Sequence, residues 1–536
     1  MAASAVVYFS GAEGPLSCTR RQFIVAGAGA VVAAGSGCGQ VKEFPTAARR
    51  WMGKPTAPPL PAQLTPAVSV GLDEVSHVLS RLTFGARPGD YGRVAALGVR
   101  AFIEQQLAPA ELADGLCDRV IRHECDSLAD PTSRWWPRRG EGSDPLAEIF
   151  PALRENGTRI GDVYEYKEKV LLEQLTRATL LRAVLSERQL FEVMVQFWSD
   201  HFNIDPSKAE CKWLKVVDDR DVIRAHALGN FRDLLRASAL SPAMLWYLDG
   251  RVNRVARPGE KPNENYAREL LELHTLGVQG GYTQQDVLAV ARCLTGWTVR
   301  DRKRFLKGRV EFQARQHDDG PKRVLGVEIP AGGGARDLER VLDLAVEHPS
   351  TAKHLAEKLC RRFIADAPPA AVVAVVAAAF TASRGDIPST LRALFAAPEF
   401  LDPAVRGEKF KRPFHFVVSA LRATNAETDA SRQLVDYLVR LGHAPFRYTT
   451  PDGYPEEAVH WQNTLLWRWN FAAALADNRI NGTRIDPERL SEKVGGADAL
   501  MATLLGRRPT VVEQLAYHES GAGLALLVAS PAFQRC

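Results

Sequence analysis

The densest run of reactive side chains is Asn263-Glu264-Asn265-Tyr266-Ala267-Arg268-Glu269-Leu270-Leu271-Glu272-Leu273-His274-Thr275-Leu276-Gly277. It starts after Pro262 and ends on a glycine, which are helix start and stop signals. At 100° per residue, Asn265, Arg268, Glu269 and Glu272 fall on one face. Tyr266, Leu270, Leu273 and Gly277 fall roughly opposite, and His274 lies near the apolar side beside Ala267 and Leu271. A polar face on a cleft offers carboxylates for proton or metal work. Arg268, Glu269 and Glu272 are therefore candidate catalytic residues, and Asn263 and Asn265 candidate substrate contacts. The same face also reads as solvated helix surface, with Arg268 and Glu272 pairing at i, i+4.

A second cluster is Phe197-Trp198-Ser199-Asp200-His201-Phe202. A histidine among large aromatics is expected to be partly buried and must find a partner. His201 is a candidate base or ligand, and equally a structural linchpin. Asp249 precedes a basic loop, and Gln316-His317-Asp318-Asp319-Gly320 sets an imidazole beside two carboxylates in a turn. Asp249, His317 and Asp318 are the candidate metal ligands. With His201 and Glu269 they would suit a hard or borderline divalent ion, which the spacing allows without demanding. The cofactor is otherwise left open. Trp297, closing Leu294-Thr295-Gly296-Trp297, is a candidate platform for substrate.

The elements that must position these residues are mostly helical. Apolar spacing and good helix formers predict helices over 167–185, 350–364, 370–382, 408–423, 430–441 and 457–476. Thr283-Gln284-Gln285-Asp286 forms a capping box, and Ser350 is a candidate cap for the helix after His348-Pro349. The strongest strand signal is 310–327, where Val310, Phe312, Val324 and Leu325 flank Asp318-Asp319-Gly320 as a small hairpin or an ordered excursion. The fold class expected is all-α: a large multi-helix domain with a small β-hairpin excursion.

The front of the chain carries an address. Thr19-Arg20-Arg21-Gln22-Phe23-Ile24-Val25 and the Ala/Gly-rich run after it read as a twin-arginine export signal over 1–37. Small residues before Cys38 make it a candidate lipidation site and hence a lipid anchor; ordinary cleavage near Ala34-Gly35-Ser36 competes. A Pro/Ala-rich linker is expected over 38–71 and the helical domain over 72–536. The location expected is periplasmic, outer-envelope attached or extracellular. There Cys117 and Cys125 are close enough in sequence to pair.

Composition excludes several classes. With 536 residues, 46% hydrophobic, 24% charged and a net charge of +5, the chain is neither disordered nor a dedicated nucleic-acid binder. No stretch of about 18 apolar residues is present, so no transmembrane helix is expected. There is no glycine-rich phosphate loop, Gly-x-Ser-x-Gly elbow, His-Glu-x-x-His or Cys-x-x-Cys.

The run 263–277, followed by Gly280-Gly281-Tyr282-Thr283 and Leu294-Thr295-Gly296-Trp297, resembles the bacterial family catalogued as domain of unknown function 1800. Arg81-Leu82-Thr83-Phe84-Gly85, Phe197-Trp198 to His201-Phe202, His317-Asp318 with Lys322, His348-Pro349 to Lys358-Leu359, Lys411 to Pro413, and Pro451-Asp452-Gly453-Tyr454 with Trp461 extend the likeness across about 72–530. The resemblance implies a mostly helical, exported protein and, by gene neighbourhood, an exported partner protein. It implies no activity and no assigned catalytic residues. Gln279 stands where the family often has an acid.

Two functions follow as expectations. One is an extracytoplasmic enzyme on cell-envelope or extracellular polymer, with Glu269 or His201 as base and the helix face meeting His201 and His317 in one pocket. The other is a non-enzymatic envelope scaffold, in which Arg268 sits in a buried pair worth several kcal/mol.

Overall fold

The computed structural model describes residues 57–62, 64–129, 160–255, 257, 259–301 and 307–536. The expected export signal, Cys38 and the first part of the expected linker lie outside them. The compact unit begins at Ala57, so the Pro/Ala-rich stretch docks before it ends. Ala57 and Ala67 are buried, Pro58 O accepts from Asn425 Nδ2 at 3.2 Å, and Ser69 O accepts from the Arg508 amide at 2.8 Å.

The architecture is all-α with three two-stranded antiparallel ladders among the described residues. The helix Ile160–Leu185 buries Leu171, Leu175, Ala178, Leu181 and Leu185. These steps of three and four residues make one apolar stripe. Ser186 and the Glu187 amide then both donate to Asp114, and the chain turns into the helix Gln189–His201. Leu190, Val193, Met194, Phe197, Trp198 and His201 form its inward face. At the centre lies Pro413–Ala423, in which every residue is buried.

Most expected helices form, with two shortened by identifiable chemistry. The helix expected from 408 starts at Pro413 instead, because proline excludes the residue before it from helical geometry and favours the first helical position. Residues 458–464 form short 3₁₀ turns before the helix Leu465–Ala476. His348, rather than Ser350, caps the helix Pro349–Phe363: its Nδ1 accepts from the Ser350 amide at 3.2 Å. The Thr283–Asp286 capping box is present.

The expected hairpin pairs differently. Val310–Phe312 pairs with Trp297–Val299, and Lys322–Val324 with Val327–Ile329. Leu325 and Gly326, both at positive φ, close the second ladder in a two-residue turn. That local turn outcompetes pairing across Asp318-Asp319-Gly320. Cys117 and Cys125 remain separate buried thiols. They sit at positions three and eleven counted from the start of the helix Gly115–Glu124 and its cap, roughly 12 Å apart along a helix axis, beyond disulfide reach.

Candidate functional site

The helix Gln189–His201 ends by presenting Asp200 and His201 to the helix Pro349–Phe363. His201 is 1% exposed. Its Nε2 lies 3.1 Å from the carbonyl of His274, and its Nδ1 accepts from Lys358 Nζ at 3.0 Å. An ammonium can only donate, so Nδ1 carries no proton and Nε2 must be the N–H that donates to His274 O. Burial first, then Lys358, holds the imidazole well below its usual pKa, so it stays neutral. With both nitrogens engaged, His201 is a holder for Lys358 rather than a free base.

Lys358 is the unusual group. Its one hydrogen bond among the described residues goes to a neutral imidazole. Burial pulls its ammonium down to about 8, against the upward pull of Asp200, Glu456 and Asp452. Asp200 is pushed up to about 6, by burial before all else, although Arg412 Nη1 donates to its Oδ2 at 2.9 Å. Arg412 also pairs with Glu456 at 3.3 Å.

The opposite wall is the loop 448–454. Asn203 Nδ2 donates to the carbonyls of Tyr448 and Thr450 at 3.0 and 2.7 Å, and the Tyr247 hydroxyl to Thr449 O at 2.8 Å. Gly453, at φ +75°, passes so close to Asp200 that a Cβ would stand 2.0 Å from its carbonyl oxygen. Only glycine fits there, and this approach sets Asp452 beside the site.

The third wall is the helix Asn265–Glu272. Asn263 Oδ1 accepts from the Asn265 amide at its start. Beyond its end, Gly277 (φ +84°) leaves room for His354, whose Nδ1 would stand 3.0 Å from any Cβ. Tyr266, Ala267, Leu270, Leu271 and His274 are buried, which leaves Glu269 and Glu272 on the partly exposed side. Burial, then Glu272, pushes Glu269 above the usual carboxylate range; Arg268 opposes and Asp452 adds. Asp452 therefore acts on both Glu269 and Lys358. Glu269, a carboxyl whose pKa is raised, and Lys358, an amine whose pKa is lowered, thus share Asp452 as a charged neighbour; opposed shifts of this kind are the pattern of acid and base groups. His274 lies beside His201: it is fully buried, with neither ring nitrogen hydrogen-bonded among the described residues, and burial drops it to about 3. Structural cores seldom leave such a group unsatisfied.

The other sequence candidates lie in separate networks. His317 is enclosed, with Nδ1 3.0 Å from Thr295 O and Nε2 3.2 Å from Asp337 Oδ2. The same Asp337 oxygen accepts from Lys322 Nζ at 2.5 Å. Asp318 holds Arg292 in a two-pronged pair at 2.6 and 3.0 Å, and Asp249 pairs with Lys208 at 3.3 Å. Among the described residues no three His, Cys, Asp or Glu side chains gather into a group that could hold a metal ion. His317 thus joins Asp337 and Lys322, not His201, so the single pocket expected from the sequence divides in two.

The candidate substrate contacts also have internal roles. Asn263 takes its amide to Asn253 Oδ1, and Asn265 Nδ2 donates to Leu248 O at 3.3 Å. Trp297 leans on Phe312 at 5.1 Å between ring centres, and its buried indole nitrogen has no hydrogen-bond partner.

Arg268 corrects the buried-pair expectation. It pairs with Glu264, not Glu272, at 2.9 Å, with both side chains more than a third exposed, and donates to Gln284. Exposed pairs contribute at most about 1 kcal/mol. Arg268→Ala is expected to lower stability by less than that in urea denaturation; a loss of several kcal/mol would contradict this geometry.

Lys358, Asp452, Glu456 and Arg412 carry much of the site, and the sequence reading did not single them out as site residues. The usable signal was His354 and Lys358 at i, i+4 on one helix face, together with the turn Pro451-Asp452-Gly453-Tyr454.

Among the comparisons with known proteins, a family described as a protein of unknown function (DUF1800) matches residues 77–535. No curated protein and no solved structure matches the chain.

Proposed function

The chain belongs to the DUF1800 family, and from that premise we propose that it is an exported enzyme that acts on cell-envelope or extracellular polymer by proton transfer. The observation that carries this reading is Lys358, a partly buried amine held by neutral His201 with no carboxylate hydrogen-bonded to it among the described residues. In this reading Glu269 is the base and Lys358, as ammonium, the acid. Asp200, Glu272 and Asp452 supply a negative rim suited to hydroxylated or cationic polymer. The twin-arginine motif at Arg20-Arg21 supports export, with Cys38 as a candidate anchor.

A second reading has its own support. Lys322–Asp337–His317, and Lys215 with Asp218 and Ser241, are enclosed networks whose polar groups satisfy one another. Such networks suit an envelope scaffold. The two readings part in one experiment. The exported, folded protein is incubated with isolated peptidoglycan and with extracellular polysaccharide, and soluble fragments are measured by mass spectrometry, alongside Glu269→Gln. The enzyme reading expects fragments that fall at least about 100-fold in the variant. Absence of fragments from every polymer favours the scaffold.

A further inference from the structure

A cavity of about 480 Å³ lies away from this site, between residues 64–72, the turn at Gly85–Gly89, and the chain around Lys411, Ser419 and Phe533. None of the acid–base residues lines it. Its charged side chains among the described residues are Arg87, Arg406, Lys411, Arg507 and Arg535, with no Asp or Glu; Cys536, which acts on Lys411 as a negative group, also lines it.

Four of the five cations are neutralised from outside the cavity. Arg87 pairs with Glu187 at 3.1 Å, Arg406 with Glu74 at 3.5 Å, Arg507 with Glu513 at 2.8 Å, and Arg535 with Glu408 at 3.7 Å. Lys411 is the exception. It is 7% exposed. Its Nζ donates to Ser419 Oγ at 3.2 Å and stands 4.0 Å from the Phe533 ring centre. It makes no ion pair among the described residues. Burial pulls its ammonium down to about 8; Cys536 opposes this and Arg468 adds to it. A buried ammonium with no carboxylate side chain paired to it among the described residues, and only Cys536 as a negative neighbour, is costly. It persists where something else supplies the anion.

The rest of the lining is largely apolar, with Leu64, Val70, Leu79, Leu505 and Phe533. The volume falls in the range of small-molecule sites. We propose that this cavity binds an amphiphilic anion, with a carboxylate or phosphate head on Lys411 and Ser419 and a short aliphatic body among the leucines. Ser419 is well placed for this role, because its hydroxyl donates to Phe416 O and can turn toward a ligand oxygen.

The test is calorimetric titration of the full chain with decanoate and with decyl phosphate, using decanol and decylamine as controls. At least one anion is expected to bind, at least tenfold more tightly than either control. Decanoate alone would identify a carboxylate ligand, and decyl phosphate alone a phosphate. Lys411→Met is expected to weaken the anion at least tenfold. Thr503→Trp, on the rim of the cavity with its hydroxyl bonded only within its own helix, fills the space, leaves Lys411 in place, and is expected to abolish binding. Thr503→Trp decides the matter should Lys411→Met fail to fold. Failure of both anions to bind, decanol binding as tightly as either, or unchanged binding in the folded variants would overturn the proposal. Polymer turnover rests on other residues, so its failure is separate from this one.

Discussion

Asp337→Ala is expected to destabilise the fold by about 3–5 kcal/mol, the range for breaking a buried ion pair from one side. Asp337 is 1% exposed at the start of the helix Arg336–Glu347, where the helix dipole favours a carboxylate. One of its oxygens serves Lys322 Nζ at 2.5 Å and His317 Nε2 at 3.2 Å, and both partners are enclosed. Removing it strands an ammonium in the interior and frees the Lys322–Val324 ladder from the helix. Urea midpoints read the loss. Replacing both partners, as Asp337→Leu with Lys322→Met, is expected to recover most of it, because the penalty lies in the orphaned charge. A single variant as stable as the wild type would mean that Lys322 has another partner.

That network shows how far the sequence could be read. His317 and Asp318 were visible as a polar turn, but the partner that gives His317 its role, Asp337, lies twenty residues on at the start of an ordinary amphipathic helix. Local periodicity marks faces, not the neighbours those faces meet. The helices 370–382 and 349–363 follow directly from their apolar spacing, and His274 falls where the wheel of 263–277 puts it, on the buried side. Lys358 was not legible, because a lysine on an amphipathic helix reads as solvated surface. Its charged neighbours Asp452 and Glu456 come almost a hundred residues later, in a stretch where Gly453 passes close over Asp200. The ladder partner of Val310 was hidden for the same reason: Trp297–Val299 reaches it from across an intervening loop, while 322–329 closes on itself.

The pH dependence of turnover is the second large effect. Lys358 as acid must keep its proton, so the rate is expected to fall as pH rises through about 8. Glu269 as base must lose its proton, so the rate rises on the acid side through a midpoint above the usual carboxylate value. Lys358→Met is expected to lower turnover by about 100-fold or more. Lys358→Arg keeps the charge but cannot release a proton near neutrality; it is expected to remain slow and to lose the alkaline limb. An unchanged limb in that variant would assign the limb to another group. The same shift has a stability sign. The folded chain holds Lys358 less protonated than the unfolded chain between about pH 8 and the ordinary lysine value near 10.5. This group alone therefore makes stability rise with pH across that window, and Lys358→Met removes the slope without unfolding the protein.

The central claim is that Lys358 and Glu269 do chemistry on an envelope or extracellular polymer. The most direct test is fragment release from isolated polymer by the wild-type protein and by Lys358→Met, with both shown to be folded by their urea midpoints. The account predicts release by the wild type and near-complete loss in a variant that is at least as stable at pH 7. Equal release by both proteins, or none by either from peptidoglycan and extracellular polysaccharide alike, would contradict it.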